Sequence, residues 1–246
     1  MKQPAQDACS VFELRQYTLH PGQRDVLIEL FDREFLEGQE AQGMRVVGQF
    51  RQQGAADKFV WLRGFRDMAA RATELAGFYG GPVWQAHREQ ANATMVDASD
   101  VLLLRALTER DGFARGAPRP PVNACTPPHS RVCASICLLR EPAGRELTAL
   151  FDRQVRPALQ EAGADLVAVL RTEYAANNFP RLPVREGEHA LVWVTAFGSA
   201  SLYEDFALRL LHSKHWVGRV LPELGKYLKT PLQTLVLEPT ARSALR

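Results

Sequence analysis

The sequence is poor in several features that would mark particular classes of protein. It has four cysteines in 246 residues and no C-x-x-C pair, so we expect reduced thiols, with Cys133 and Cys137 as small core residues. It has no apolar run near the roughly 18 residues that a transmembrane helix needs, so membrane insertion is not expected. The formal net charge is only +2, without runs of lysine and arginine, which gives no reason to expect nucleic acid as a partner.

Motifs of cofactor and metal chemistry are missing as well. There is no G-x-G-x-x-G, P-loop, G-x-S-x-G or H-E-x-x-H pattern. His212 and His215 are spaced to share a helix face, but a metal site needs a third ligand, and no Glu or Cys stands at a suitable spacing. Residues 1–10 are polar and have no apolar signal core. We therefore expect no cofactor, no metal and a cytoplasmic location.

What the sequence does have is an internal repeat. The word L-F-D-R occurs at residues 30–33 and again at residues 150–153. The four tryptophans pair between the two halves at a larger offset, Trp61 with Trp193 and Trp84 with Trp216. The offset grows because a short connection at residues 53–57 is replaced by a longer one at residues 175–188. A period of this size is too long for a solenoid and fits a duplicated domain of about 110 residues.

Hydrophobic patterning predicts the order βαββαβ in both copies, which is the ferredoxin-like pattern of an α+β protein. In the first copy, strands are predicted at residues 11–19, 44–52, 58–65 and 101–107, with helices at 23–42 and 67–93. In the second copy, strands are predicted at residues 131–139, 166–174, 189–197 and 232–238, with helices at 144–162 and 201–228. Breaks are expected where Gly80-Gly81-Pro82, Pro157 and Pro222 interrupt the helical pattern.

This order predicts five parts along the chain, with a flexible N-terminus at residues 1–10, a first unit at 11–107, a proline-rich linker at 108–130, a second unit at 131–238 and a disordered tail at 239–246. A four-stranded sheet with both helices on one face leaves its other face uncovered, and that face must pack on something. We therefore expect the two antiparallel sheets to pack together as an intramolecular pseudo-dimer, a closed or nearly closed α+β barrel. A further homodimer is left open. The connection at 175–188 is expected to leave the sheet intact and to be a candidate lid over a barrel mouth.

Alternation along each strand separates two faces. The small aliphatic sets, such as Val60, Leu62 and Gly64, suit the helix side, as do Phe12 and Leu14. The aromatic and polar set would then face the other sheet and is the candidate ligand-binding set. Its members are Glu13, Arg15, Tyr17, Trp61, Arg63, Trp193 and Thr195.

The charged residues of the first strand are interpreted as one wall of an asymmetric pocket. A buried glutamate and arginine must be paired, since an unpaired buried charge costs about 3–5 kcal/mol. The matching strand at residues 131–139 has only cysteine, serine, alanine and aliphatic residues after Arg131, and it could leave room for a ligand. The alternative is that Glu13 and Arg15 form an ion pair at the rim or at a solvated edge of the sheet.

Two segments resemble the NIPSNAP family. The sequence V-F-E-L-R-Q-Y-T-L at residues 11–19, followed by Pro21-Gly22, is similar to the opening of a NIPSNAP domain. F-V-W-L-R-G-F at residues 59–65, with Pro82-Val83-Trp84 downstream, is similar to its middle and second helix. The second copy keeps the tryptophans but lacks the E-L-R-x-Y opening. The resemblance implies the dimeric α+β-barrel superfamily, which includes cofactor-independent monooxygenases, isomerases and haem enzymes, although NIPSNAP proteins themselves have no settled activity.

Three functions stay open. The first is small-molecule binding between the sheets or between sheet and helices, with Arg15 anchoring an anionic or aromatic ligand and Glu13 orienting it. The second is a cofactor-independent monooxygenase or isomerase in which Glu13 is the general base and Arg15 stabilises an enolate or phenolate. The third is a scaffold or interaction protein, which a closed barrel filled by side chains would favour.

Overall fold

Eight antiparallel strands form one closed barrel in the computed structural model, which describes residues 9–114 and 118–246. Most of the segment predicted to be a flexible N-terminus, residues 1–8, lies outside the described residues. None of the helices in the described part of the chain has both the length and the hydropathy needed to span a bilayer.

The first unit contains the strands β1 (Val11–Leu19), β2 (Arg45–Gln52), β3 (Lys58–Phe65) and β4 (Met95–Ala106). Its helices are α1 (Arg24–Leu30), α2 (Leu36–Glu40), α3 (Met68–Gly80) and α4 (Pro82–Ala93), with a π-helical turn at Phe31–Phe35 between the first two. Gly81 separates α3 from α4, as predicted. β4 begins six residues earlier than predicted because its polar start pairs with the end of β1, Asp97 lying opposite Thr18.

The second unit contains the strands β5 (Arg131–Leu139), β6 (Asp165–Thr172), β7 (His189–Phe197) and β8 (Gln233–Pro239). Its helices are α5 (Arg145–Leu150), α6 (Arg156–Glu161), α7 (Ala200–His212) and α8 (Leu221–Gly225), with π-helical turns at Phe151–Val155 and Trp216–Val220. Pro157 and Pro222 are the second residues of α6 and α8 and follow closely on these π-helical turns. The cap of α7 is Ser199, which accepts a hydrogen bond from the Leu202 amide, so this helix begins slightly before the predicted residue 201.

The strand order around the barrel is β1-β3-β2-β8-β5-β7-β6-β4. Two antiparallel seams join the units. β2 pairs with β8, Phe50 lying opposite Pro239, and β4 pairs with β6, Leu104 lying opposite Thr172. The two sheets therefore close on each other within one chain, which confirms the predicted intramolecular α+β barrel.

The barrel interior is filled with apolar side chains from both units. Phe12 and Leu14 of β1 belong to this interior core, together with Val132, Ala134 and Ile136 of β5. The predicted assignment of faces is therefore wrong: the small aliphatic sets point into the barrel, and the aromatic and polar sets point outward beneath the helices. Both faces of these strands are buried, so hydrophobicity does not distinguish them. The interior of an eight-stranded barrel is just wide enough to be filled by side chains, which here are mostly aliphatic.

Each unit has a separate outer core between its sheet and its helices. In the first unit this core contains Trp61 and Phe31, and in the second it contains Trp193 and Phe151. The tryptophan–phenylalanine pair is therefore repeated, with ring centres 4.9 Å apart in the first unit and 5.7 Å apart in the second. This contact explains why L-F-D-R and the tryptophans recur together in the sequence.

The prediction that residues 239–246 are a disordered tail is also wrong. The amide of Thr240 donates to the carbonyl of Gln49 at 2.9 Å, which continues the pairing along β2. Arg242 is 2% exposed and forms an ion pair with Glu37 of α2. The polar composition of this segment did not reveal that its arginine reaches a carboxylate of the first unit, which lies about 200 residues earlier in the chain.

Candidate functional site

A cluster of four charged side chains lies beneath the helices of the first unit. Glu13 of β1 is at its centre, surrounded by Arg15, Arg63 and Arg71, and all four residues are 0% exposed. Alternation puts Glu13 and Arg15 on the same side of β1, and Arg63 of β3 lies directly opposite Glu13. Arg71 comes from the start of α3. The sequence predicted three of these four residues as members of one site and missed the fourth.

Each of the three guanidinium groups contacts the Glu13 carboxylate. Arg15 Nη1 donates to Oε2 at 2.7 Å, and Arg63 Nε donates to the same oxygen at 2.8 Å. Arg71 Nε donates to Oε1 at 2.8 Å. Both oxygens therefore receive charge-assisted hydrogen bonds, which are stronger than bonds between neutral groups. The alternative of an ion pair at a solvated rim does not apply, because the cluster is buried.

The surroundings of Glu13 set its protonation state. Burial by itself raises the pKa of a carboxyl, but the attraction of Arg63, Arg15 and Arg71 outweighs burial and holds the pKa of Glu13 well below its usual range. Glu13 is therefore ionised and weakly basic. Its ion-pair partners among the described residues are all guanidinium groups, so this carboxylate is better suited to position arginines than to remove a proton from a substrate.

A cavity of about 470 Å³ adjoins the cluster on the outside of the sheet. Arg15 and Tyr17 of β1 form part of its wall, and the aromatic rings of Tyr79, Trp84 and Phe179 form another part. Charged groups of the wall also include Arg88, Arg181 and Asp97. The cavity therefore combines flat apolar surfaces with an excess of guanidinium groups. Trp61 and Arg63, which were predicted as ligand-binding residues, lie in the layer behind this wall.

Arg15 and Tyr17 act as a pair at the cavity wall. Arg15 Nε donates to the Tyr17 hydroxyl at 2.9 Å, and the Arg15 guanidinium lies 5.5 Å from the centre of the Tyr17 ring and 5.6 Å from that of Trp61. Burial raises the pKa of Tyr17, so its side chain is a neutral phenol. The phenol oxygen accepts from Arg15, and its proton can be donated to a ligand.

The connection at residues 175–188 belongs to the second unit but packs on the first. Asn177 Oδ1 and Asn178 Oδ1 accept hydrogen bonds from Arg71 Nη1 at 3.1 and 2.7 Å. The Phe179 side chain is buried, and its ring centre lies 5.9 Å from that of Tyr79. The connection thus forms one wall of the outer cavity instead of covering the barrel interior. Arg71 was missed because a lone arginine in an alanine-rich helix start carries no sequence signal.

The described residues of the second unit form no equivalent charged cluster. Its strand β5 places Cys133, Ser135 and Cys137 at the positions of Glu13, Arg15 and Tyr17, and Cys133 lies opposite Thr195 of β7. Burial raises the pKa of both cysteine thiols to about 12, so they are protonated core residues. Trp193 and Thr195 lie on the outer face of the second unit. The structure does not bring these two predicted site residues together with Glu13, Arg15 and Tyr17.

Metal-ligating side chains do not converge in the described ranges 9–114 and 118–246, where no group of three or more His, Cys, Asp or Glu residues could hold an ion. His212 and His215, which are spaced to share a helix face, are both exposed. These histidines therefore give no support to a metal site.

Known proteins resemble this chain at two levels. The NIPSNAP family model matches residues 12–108 of the chain. No curated protein is similar enough to the chain to count as a match. A candidate monooxygenase from Lactobacillus acidophilus NCFM is 10% identical and has a TM-score of 0.60, covering 97% of this chain and 99% of its own.

Two further solved structures are similar to the chain, one over nearly its whole length and one over less than half of it. An anthrone oxidase-like protein is 12% identical with a TM-score of 0.55, covering 96% of this chain and 93% of its own. A NIPSNAP-like domain protein from Burkholderia xenovorans is 26% identical with a TM-score of 0.37, covering 45% of this chain and 91% of its own. The full-length similarities show that the chain has the dimeric α+β-barrel fold of monooxygenase-like proteins, with both half-barrels in one polypeptide.

Proposed function

We propose that the region at residues 12–108, which the NIPSNAP family model matches, binds a small, flat, anionic molecule in the cavity beside Arg15. The observation that carries this proposal is the charge imbalance beside the cavity. Among the described residues, three guanidinium groups contact the single carboxylate of Glu13. Burying an excess of positive charge is costly, and an anion in the cavity offsets that cost. Arg15 is the member of the cluster that reaches the cavity wall.

The shape of the cavity supports a flat ligand. Its volume of about 470 Å³ lies within the range of small-molecule sites. The rings of Tyr79, Trp84 and Phe179 offer apolar surfaces, while Arg15 and Tyr17 offer hydrogen-bond donors at one side. An aromatic carboxylate, or the enolate of an aromatic ketone, matches both properties. The filled barrel interior removes the pocket predicted between the sheets, but this outer cavity lies between the sheet and the helices.

A cofactor-independent monooxygenase or isomerase is the second candidate. The observation that favours it is the Arg15–Tyr17 pair, whose guanidinium and phenol could stabilise an enolate or phenolate. Such a reaction also needs a base, and the low pKa of Glu13 does not suit that role. Binding is therefore preferred over this reaction. The test is solvent-deuterium exchange at the acidic C–H of an aromatic 1,3-diketone. Exchange that is faster with the wild type than with Arg15→Met would favour catalysis. The filled barrel interior agrees with the third expectation, a scaffold protein, but the outer cavity beside Arg15 has room for a ligand.

The proposal is tested by replacing Arg15 with methionine, which keeps much of the volume and removes the charge. Glu13 retains Arg63 and Arg71, so we expect Arg15→Met to fold, with a change of at most about 2 kcal/mol in the free energy of unfolding. An aromatic carboxylate such as 2-naphthoate is expected to raise the Tm of the wild type and to leave that of Arg15→Met unchanged.

The matched control is Arg219→Met, because Arg219 is exposed in the second unit and lies outside the cavity. This variant is expected to respond to 2-naphthoate like the wild type. The proposal fails if no aromatic anion stabilises the wild type, or if Arg15→Met is stabilised to the same extent.

A further inference from the structure

Two guanidinium groups from different units line the same cavity. Arg15 belongs to β1 of the first unit, and Arg181 belongs to the connection at residues 175–188 of the second. We infer that Arg181 is a second anion-binding group and that the ligand carries two acidic groups, one held by Arg15 and one by Arg181. This inference rests on the proposed function and narrows its ligand class to aromatic diacids.

The backbone around Arg181 is held in place by a network of hydrogen bonds. The Leu182 amide donates to the carbonyl of Phe179 at 3.0 Å, so Pro180 and Arg181 are the central residues of a turn. One side chain joins both ends of this turn, because Asn177 Nδ2 donates to the Leu182 carbonyl at 2.9 Å and Asn177 Oδ1 accepts from the Phe179 amide at 3.1 Å. The turn therefore presents Arg181 without needing to be ordered by a ligand.

The turn is also attached to the charged cluster. Asn177 and Asn178 accept hydrogen bonds from Arg71, which contacts Glu13, and Asn178 Nδ2 donates to the carbonyl of Met68 at 2.5 Å. The next part of the connection is anchored to β4, since the Arg185 amide donates to the Val101 carbonyl at 2.8 Å. Anchors on both sides of Arg181 thus hold its backbone at the cavity wall that carries Arg15, while the residue itself is exposed.

The charge balance that supports an anionic ligand also favours a diacid. The buried cluster has three guanidinium groups and one carboxylate, an excess of two positive charges within the described residues. Arg88 and Arg181 add two more guanidinium groups at the wall, against the carboxylate of Asp97. A doubly charged ligand compensates this field better than a singly charged one, because the attraction scales with the product of the charges. The competing explanation is that Arg181 is an ordinary solvated surface residue.

The inference is tested by comparing ligands that differ in one carboxylate. We expect the wild type to bind 2,6- or 2,3-naphthalenedicarboxylate about five- to tenfold more tightly than 2-naphthoate by isothermal titration calorimetry. In Arg181→Ala this advantage should disappear, while the Kd for 2-naphthoate changes by less than about twofold. Arg181→Lys, which keeps the charge, should retain part of the advantage. Arg219→Ala removes an exposed arginine of the second unit and should behave like the wild type.

The outcomes separate this inference from the proposed function. If the wild type binds 2-naphthoate through Arg15 but prefers neither diacid, the proposed function stands and the role of Arg181 is refuted. If Arg181→Ala weakens the binding of the mono- and dicarboxylates equally, Arg181 acts through its general positive charge or through a structural contact. The inference fails in that case too. If the wild type binds none of the three ligands, both the proposed function and the role of Arg181 are refuted.

Discussion

At the scale of single residues, the stability of the first unit depends on the charge of Glu13. This carboxylate is the counterion of three buried guanidinium groups, those of Arg15, Arg63 and Arg71. The second unit folds into the same arrangement of strands and helices with Cys133 at the matching position. The charged cluster is therefore not a requirement of the fold, which agrees with a role in ligand binding.

We predict that Glu13→Gln destabilises the chain by about 3–5 kcal/mol, because three buried guanidinium groups lose their counterion. Urea unfolding followed by tryptophan fluorescence measures this change. The double variant Glu13→Gln/Arg15→Met should recover part of the loss, since one uncompensated charge is removed. A loss below about 1 kcal/mol in the single variant would mean that solvent or another group neutralises the cluster.

Glu13 also predicts a dependence of stability on pH. Its pKa is lower in the folded chain than in the unfolded chain, so its contribution is complete above the ordinary carboxyl pKa of about 4.3 and is lost as the pH falls below it. We expect the free energy of unfolding of the wild type to decrease from about pH 4 to pH 2 more steeply than that of Glu13→Gln. Equal slopes for the two proteins would contradict this assignment.

The sequence allowed part of the site to be predicted, for a physical reason. Alternation in a strand is regular, so it correctly grouped Glu13, Arg15 and Tyr17 on one side of β1. It could not show which side faces the helices, because both sides of β1 are buried. Arg71 and Tyr79 lie on α3 and reach the site only through tertiary packing, which no local pattern records.

At the scale of secondary-structure elements, the π-helical turns show what the two units share. The turns at Phe31–Phe35 and Phe151–Val155 both begin at the phenylalanine of the repeated L-F-D-R word. The sequence predicts a break at Pro157 in the second copy, yet the first copy has the same turn without a proline. The contact of each phenylalanine with a tryptophan of the third strand of its unit is the common feature.

The connection at residues 175–188 is the element that most distinguishes the two units. Residues such as Asn177, Pro180 and Pro183 are typical of loops and predict an irregular segment here. The strands before and after it, β6 and β7, pair with each other as predicted. Where it docks was not predictable, since its partners Arg71 and Tyr79 lie about 100 residues earlier. Shortening it should leave the barrel closed but remove one wall of the cavity.

We predict that Phe179→Ala costs about 3 kcal/mol of stability, because the ring is packed in the outer core of the first unit. Urea unfolding measures the loss. Tyr174→Ala is the matched control just before the connection, since Tyr174 is 54% exposed and its removal should cost less than about 1 kcal/mol. Similar losses in the two variants would show that the connection does not pack on the first unit in solution.

At the scale of the whole molecule, the apolar interior core makes the two units depend on each other. Phe12 and Leu14 from β1 share that core with Val132 and Ile136 from β5, and neither sheet would bury this face alone. The division of the chain at residues 11–107 and 131–238 stays a prediction. This division follows the repeat in the sequence, whereas the shared interior core joins both parts into one barrel.

We predict that the barrel unfolds as one cooperative unit. Native-state hydrogen exchange in low urea should give the slowest amides of β3 and β7 the same opening free energy, since exposing either sheet exposes the shared core. Mass spectrometry of peptic fragments can follow both strands in one experiment. A β7 that opens at a clearly lower free energy than β3 would show that the second unit can detach from the first.

The covalent joining of the two half-barrels has a consequence for binding stoichiometry. In a barrel made of two identical chains, every substitution appears twice, so both halves must keep the same residues and offer the same number of sites. Here each half mutates separately, and the second half has Cys133 and Thr195 where the first has Glu13 and Arg63. The second half supplies a wall to its neighbour instead of a matching site of its own. A titration should therefore saturate at one ligand per polypeptide.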